Sequence, residues 1–224
     1  MALQTYGDER SLLYCAFCGG ETGTRDHCPS KVFLERPFPE DLPVVPACGQ
    51  CNAKFSSDEE YLACLLACVL TGSTDPEVVL RSSIKKTLQH SPALRSRIEQ
   101  SRTLNGDQTI FVPEYDRVLS IVTKLAQGHA LYELHEACPS SPDTVWATPL
   151  ALLSQPDLLE FERPEYPSIW PEVGSRAMQR LIIDGQPEFP WVVVQPGMYR
   201  YLAIPGTAVH IVIHEYLAGY ACWD

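Results

Sequence analysis

The chain has 224 residues, enough for one large domain or two small ones around a sizeable apolar core. A net charge of −11 excludes a generic nucleic-acid coat, and the longest apolar run, Tyr61 to Leu70, is about half of what a membrane span needs. The first residues, MALQTYGDER, carry neither a basic start nor an apolar stretch, so no secretory signal and a cytoplasmic location are expected.

Ser11 to Tyr14 reads as a short strand, and Gly19, Gly20 and Gly23 make a compact turn after Cys18. Arg25 to Cys28 should be extended, because Pro29 disfavours helix at the residue before it. Lys31 to Leu34 fits one helical turn, after which Pro37, Pro39, Pro43 and Pro46 forbid long regular structure. Ser56-Ser57 followed by Asp58, Glu59 and Glu60 reads as a helix start. Its apolar face is Tyr61, Leu62, Leu65, Leu66, Val69 and Leu70, and Thr71-Gly72-Ser73 ends it. Pro76 starts a second helix through about Lys86, and Pro92 a third ending near Asn105-Gly106. Thr109 to Val112 fits a strand. Tyr115 to Glu136 has a helical apolar period with an interruption near Gly128, and Cys138 to Pro142 is a loop. Beyond it, Thr144 to Trp146, Leu158 to Phe161, Met178 to Ile183, Trp191 to Gln195, Tyr199 to Ala203 and Val209 to His214 read as strands. The expected class is α+β, with helices first and a mostly antiparallel C-terminal sheet.

Four of the nine cysteines form two Cys-x-x-C pairs, Cys15/Cys18 and Cys48/Cys51, with 29 residues between them. Two such knuckles complete one tetrahedral Zn2+ site, and four thiolates leave no open position, so the ion would be structural. Cys28, Cys64, Cys68, Cys138 and Cys222 are scattered; Cys64 and Cys68, four apart on a helix, read as small buried apolar residues. Asp26-His27 lies between the pairs, and Asn52 follows the last cysteine. A neutral imidazole can take a proton from water, and a carboxylate or amide oxygen can hold a hard divalent ion against a phosphate. Taken alone, Asp26-His27 reads as an exposed loop pair and Asn52 as a helix cap or turn. Arg25 and Lys31 fit either phosphate contact or plain surface. His129 and His135 in the long helix, His210 and His214 four apart on one face of a strand, and His90 in a turn read as structural or surface residues. Arg81 to Arg102 holds six basic residues against one acid, which suits a nucleic-acid backbone or a solvated helix face.

CAFC, RDHCPSKVF and DLPVVPACGQCNAKFSSDEEY together resemble the HNH (ββα-metal) endonuclease family in its zinc-stapled form, as in the phage junction-resolving endonucleases. The resemblance covers about residues 12 to 60. It implies a nuclease module over 1–72 with a structural zinc at Cys15, Cys18, Cys48 and Cys51, and a targeting or interaction region over 73–224. It makes His27 the general base and Asp26 and Asn52 ligands of a catalytic Mg2+ or Mn2+. Asp41, before Leu42, stands where the family carries an Asn that orients the base; Ser56 stands where many members carry a second histidine. The implied substrate is DNA, with RNA as the lesser expectation, together with a protein partner or activator, no membrane, and a place in bacterial or phage defence. The alternative expectation is a catalytically inactive zinc-stapled module that binds nucleic acid or protein.

Overall fold

The computed structural model describes residues 12–106, 108–163, 169–184, 189–206 and 208–223. In chain order the elements are β1 (Thr24–His27), β2 (Val44–Ala47), α1 (Gly49–Thr71), α2 (Ser82–His90), α3 (Pro92–Gln100), β3 (Arg102–Asn105), β4 (Gln108–Phe111), α4 (Tyr115–His129), β5 (Thr144–Pro149), α5 (Gln155–Glu162), α6 (Arg176–Asp184), β6 (Val192–Gln195), β7 (Tyr199–Ile204), β8 (Ala208–Ile213) and β9 (Leu217–Cys222). The α+β class is observed, with six α-helices among the described residues and a five-stranded antiparallel sheet toward the C-terminus. No described helix is long and apolar enough to cross a membrane. The chain forms two compact units, Met1–Lys54 with Val122–Asp224, and Phe55–Ile121.

In the first unit β1 and β2 pair antiparallel, with Asp26 opposite Val45 and His27 opposite Val44. Opposed residues share a face of the pleat. Asp26 therefore lies on the side of buried Val45, and His27 on the side of exposed Val44. The proline-rich link between the strands holds one 3-10 turn, Lys31–Phe33, where the sequence predicts a helical turn. Only Cys48 separates β2 from α1, so the helix starts well before the Ser56-Ser57 cap that the sequence suggests. The cause is Cys48 itself. Its carbonyl accepts the Asn52 N–H at 3.1 Å, and its sulfur accepts the Cys51 N–H at 3.3 Å, the two bonds of an N-cap residue.

The large sheet runs β5-β9-β8-β7-β6. Alternation puts Tyr199, Tyr201, Val209, Ile211 and Ile213 on one face, all buried. Gly219 lies on this face opposite Ile211, and Val122 of α4 packs so close that a Cβ on the glycine would stand 3.0 Å from it. The other face carries His210, Val212 and Ala218 and packs against Phe161 of α5, with Trp146, Leu150, Leu153 and Trp191 around it.

Two expected strands are helices: Leu158–Phe161 lies in α5 and Met178–Ile183 in α6. Both starts are capped by serine, with Ser154 Oγ accepting the Asp157 N–H at 3.3 Å and Ser175 Oγ the Met178 N–H at 3.1 Å. Strand β9 is not expected from LAGYAC, whose alanines and glycine are weak strand formers; close approach of Val122 accounts for Gly219. Pro76 opens a 3-10 turn, Pro76–Val78, and α2 begins only at Ser82. The third helix stops at Gln100, because Arg102–Asn105 leaves to pair with β4 around Asn105-Gly106, where Gly106 adopts φ +62°. The expected interruption near Gly128 is absent. Helix α4 runs through it and continues as a π-helical turn, Ala130–Leu134, ended by His135 at φ +62°. Gly128 answers instead to packing, since a Cβ there would lie 2.5 Å from the Cys28 sulfur. His214 sits at φ +57° in the turn after β8 rather than in the strand. Ser11 lies outside the described residues, and Tyr14 makes a single bridge to Glu21.

In the second unit Tyr61, Leu62, Leu65 and Leu66 are buried as the α1 pattern predicts, together with Cys64 and Cys68, while Leu70 is exposed. Burial pushes the Cys64 thiol up to about 12 and Cys68 to about 11, which fits inert core residues. Arg117 Nε meets Asp58 Oδ1 at 2.6 Å, and the Tyr61 hydroxyl accepts the Glu114 N–H at 2.8 Å.

Candidate functional site

Cys15, Cys18, Cys48 and Cys51 bring their sulfurs within 4.8 Å of one another. The Cys18 and Cys48 sulfurs are 3.9 Å apart; ligands about 2.3 Å from a tetrahedral zinc lie about 3.8 Å apart. The first knuckle is closed by Cys15 N–H on the Gly20 carbonyl (2.8 Å) and Gly19 N–H on the Cys15 carbonyl (2.9 Å), with Gly19 at φ +69°. Ala16 N–H on the Pro46 carbonyl at 2.9 Å joins it to β2. The second knuckle is the start of α1. Thiols this close resist joint ionisation. Burial and the neighbouring sulfurs push Cys51 well above the usual thiol range, whereas the Cys51 backbone N–H pulls Cys48 down to about 7. A dication relieves that conflict, so the donor set fits one zinc held by four thiolates. Among the described residues it is the one cluster of three or more His, Cys, Asp or Glu ligands.

Asp26 and His27 occupy the last two positions of β1. The Asp26 side chain is 12% exposed, and its Oδ2 is 2.7 Å from the Lys124 ammonium. Lys124 is 2% exposed and also donates to Ser30 Oγ at 3.0 Å, with the Phe17 ring centroid 5.6 Å away. The His27 pKa is lowered by burial and by the Lys31 charge, against the opposing pull of the Asp26 carboxylate and the Pro43 carbonyl. The imidazole is therefore neutral at pH 7. Its Nδ1 is buried and lacks a well-formed hydrogen bond.

Asn52 lies half-buried in the first turn of α1, directly after Cys51, with its backbone N–H spent on Cys48. Asp41 is exposed in the link before β2. It borders a cavity of about 570 Å³ shared with Tyr132, Glu133, Arg176, Arg180 and Tyr201, and its charge is felt at Tyr132. The sequence does not single out Lys124: on α4 it lies in the helical row of Arg117, Ser120 and Gln127, and only the fold shows it buried, where a lysine needs a counter-charge.

In the basic segment, ion pairs join Lys85 to Glu77 (2.7 Å), Arg97 to Glu114 (3.6 Å) and Arg102 to Glu99 (3.2 Å). His129 and His210 are buried in the sheet packing. Comparison with protein-family models, with curated proteins and with solved structures found no match.

Proposed function

We propose that this protein is a metal-dependent endonuclease of the HNH type that hydrolyses phosphodiester bonds in DNA. The observation that carries the reading is the four-sulfur cluster. It ties the turn before β1 to the junction of β2 and α1, and the segment it staples is a strand–strand–helix run bearing Asp26-His27 and Asn52. Stapling of this kind supports a reactive constellation by fixing backbone positions next to the side chains that act.

In this reading His27 is the general base. Its neutral ring takes a proton from the water that attacks phosphorus. Lys31, whose charge reaches His27, meets a phosphate oxygen. Asp26 and Asn52 would hold Mg2+ or Mn2+, which when bound offsets charge on the phosphate and the leaving oxygen. Two protein donors are few for a hard ion, so water and substrate oxygens would have to supply the remaining ligands. Asp41 contributes a charge that acts on the surroundings rather than a ligand.

The test is incubation of supercoiled plasmid with the zinc-loaded protein and Mg2+ or Mn2+. The wild type nicks the plasmid, and His27→Ala loses at least about 100-fold in rate, the usual contribution of a general base. A second reading, a zinc-stapled binding module without catalysis, is favoured by one observation: the carboxylate meant for a metal already carries the Lys124 ammonium. Supercoiled, linear, branched and single-stranded DNA and RNA all left intact with both metals would establish it and remove the first.

A further inference from the structure

We propose that Lys124 is a built-in competitor cation at Asp26, so that a divalent ion binds there only against an ammonium already in contact. The inference rests on the nuclease reading of Asp26 and names what regulates that site. Three observations converge. The Lys124 ammonium lies 2.7 Å from Asp26 Oδ2, at ion-pair contact distance, with both side chains largely withdrawn from solvent. It is held in place, because Ser30 Oγ accepts from it at 3.0 Å and its side chain is 2% exposed in the packed stripe of α4. Asp26 is the only carboxylate among the proposed hard-ion donors, Asn52 being neutral.

The charge arithmetic follows. The Asp26–Lys124 pair is neutral, so the site offers an incoming dication oxygen lone pairs but little net field. A dication beside the pair leaves the site with two positive charges in excess, and a phosphodiester removes one of them. Ion and phosphodiester therefore bind with positive coupling: the free protein holds Mn2+ weakly, and the nucleic-acid backbone recruits it. A lysine at this place restrains idle metal loading while holding a positive charge against the Asp26 carboxylate.

The test measures free Mn2+ by electron paramagnetic resonance during titration of the full, zinc-loaded chain. The proteins are wild type, Lys124→Met, Lys124→Gln, Asp26→Asn, and Lys124→Gln combined with Asp26→Asn. Lys124→Gln keeps a polar donor at this place without the charge, so it decides the matter if Lys124→Met fails to fold by circular dichroism or zinc content. Removal of the lysine charge lowers the Mn2+ Kd at least tenfold, and the combined variant loses the gain. Lys124 variants within twofold of wild type, while Asp26→Asn abolishes binding, overturn this proposal and leave the nuclease reading intact. Tightening that persists in the combined variant places the ion elsewhere and overturns it as well. Absence of Mn2+ binding in wild type and both Lys124 variants overturns it together with the metal role of Asp26.

Discussion

The His129 ring stacks on Tyr201 with centroids 3.6 Å apart, and its Nε2 meets the Tyr199 hydroxyl at 2.8 Å. Nothing charged offsets its burial, which drives its pKa down to about 3. The unfolded chain titrates this histidine near 6.5. Between those values the unfolded state binds the extra proton, so stability is full above pH 6.5 and is lost as pH falls toward 3. At pH 5 the loss is about 2 kcal/mol, from 1.36 kcal/mol per pKa unit. Urea unfolding of wild type and His129→Gln at pH 7.5 and pH 5 checks this: the wild type should lose about 2 kcal/mol more than the variant, whose side chain still reaches Tyr199 but does not titrate. Equal losses would show that the imidazole is not the cause. Sequence spacing puts His129 on the helix but cannot say that two tyrosines from a sheet strand seventy positions later enclose it. Lys124 is a similar case, since its row on α4 also carries Arg117, Ser120 and Gln127, and both its burial and its partner, Asp26, need the fold.

Among the elements, the Cys-x-x-C knuckles were the most legible, because their spacing is a local constraint that tertiary context does not override. The start of α1 was not legible for the same reason in reverse: a cysteine sulfur acts as the cap, and cysteine is absent from the usual cap set. Helices α5 and α6 carry short apolar runs that fit a strand as well as a helix, and the signal that separates the two is the capping serine at each start, Ser154 and Ser175. The double duty of Cys48 yields a prediction. Cys48→Ser keeps an oxygen able to cap α1 but removes one of four ligands, and Cys18→Ser removes a ligand with no capping role. Both variants should fall from about one zinc per chain to background by elemental analysis, with a melting temperature lower by more than about 10 °C. If Cys48→Ser retains zinc while Cys18→Ser loses it, the capping bond rather than the metal explains the position of Cys48.

At the scale of the whole molecule, a net charge of −11 must be reconciled with the polyanionic substrate proposed for it. The segment from Arg81 to Arg102 offers the sequence's densest positive charge, and folding spends part of it internally. Arg97 faces Glu114 at 3.6 Å and Arg102 faces Glu99 at 3.2 Å. Exposed pairs of this kind are weak, so a phosphate can displace the carboxylate. Each such exchange returns a negative charge to the surface, where a counterion must cover it. The counterion release per arginine is therefore smaller than for an arginine with no carboxylate beside it. Three independent phosphate contacts would steepen the slope of log K against log salt by about 2.7. Replacing Arg95, Arg97 and Arg102 with alanine should weaken duplex binding and flatten that slope by no more than about 2, measured by fluorescence anisotropy between about 50 and 200 mM salt. A change near 2.7 would mean that Glu99 and Glu114 do not compete with phosphate. No change in affinity or slope would remove α2 and α3 from the path of DNA and leave the acidic body to meet its substrate through Arg25, Lys31 and the stapled hairpin.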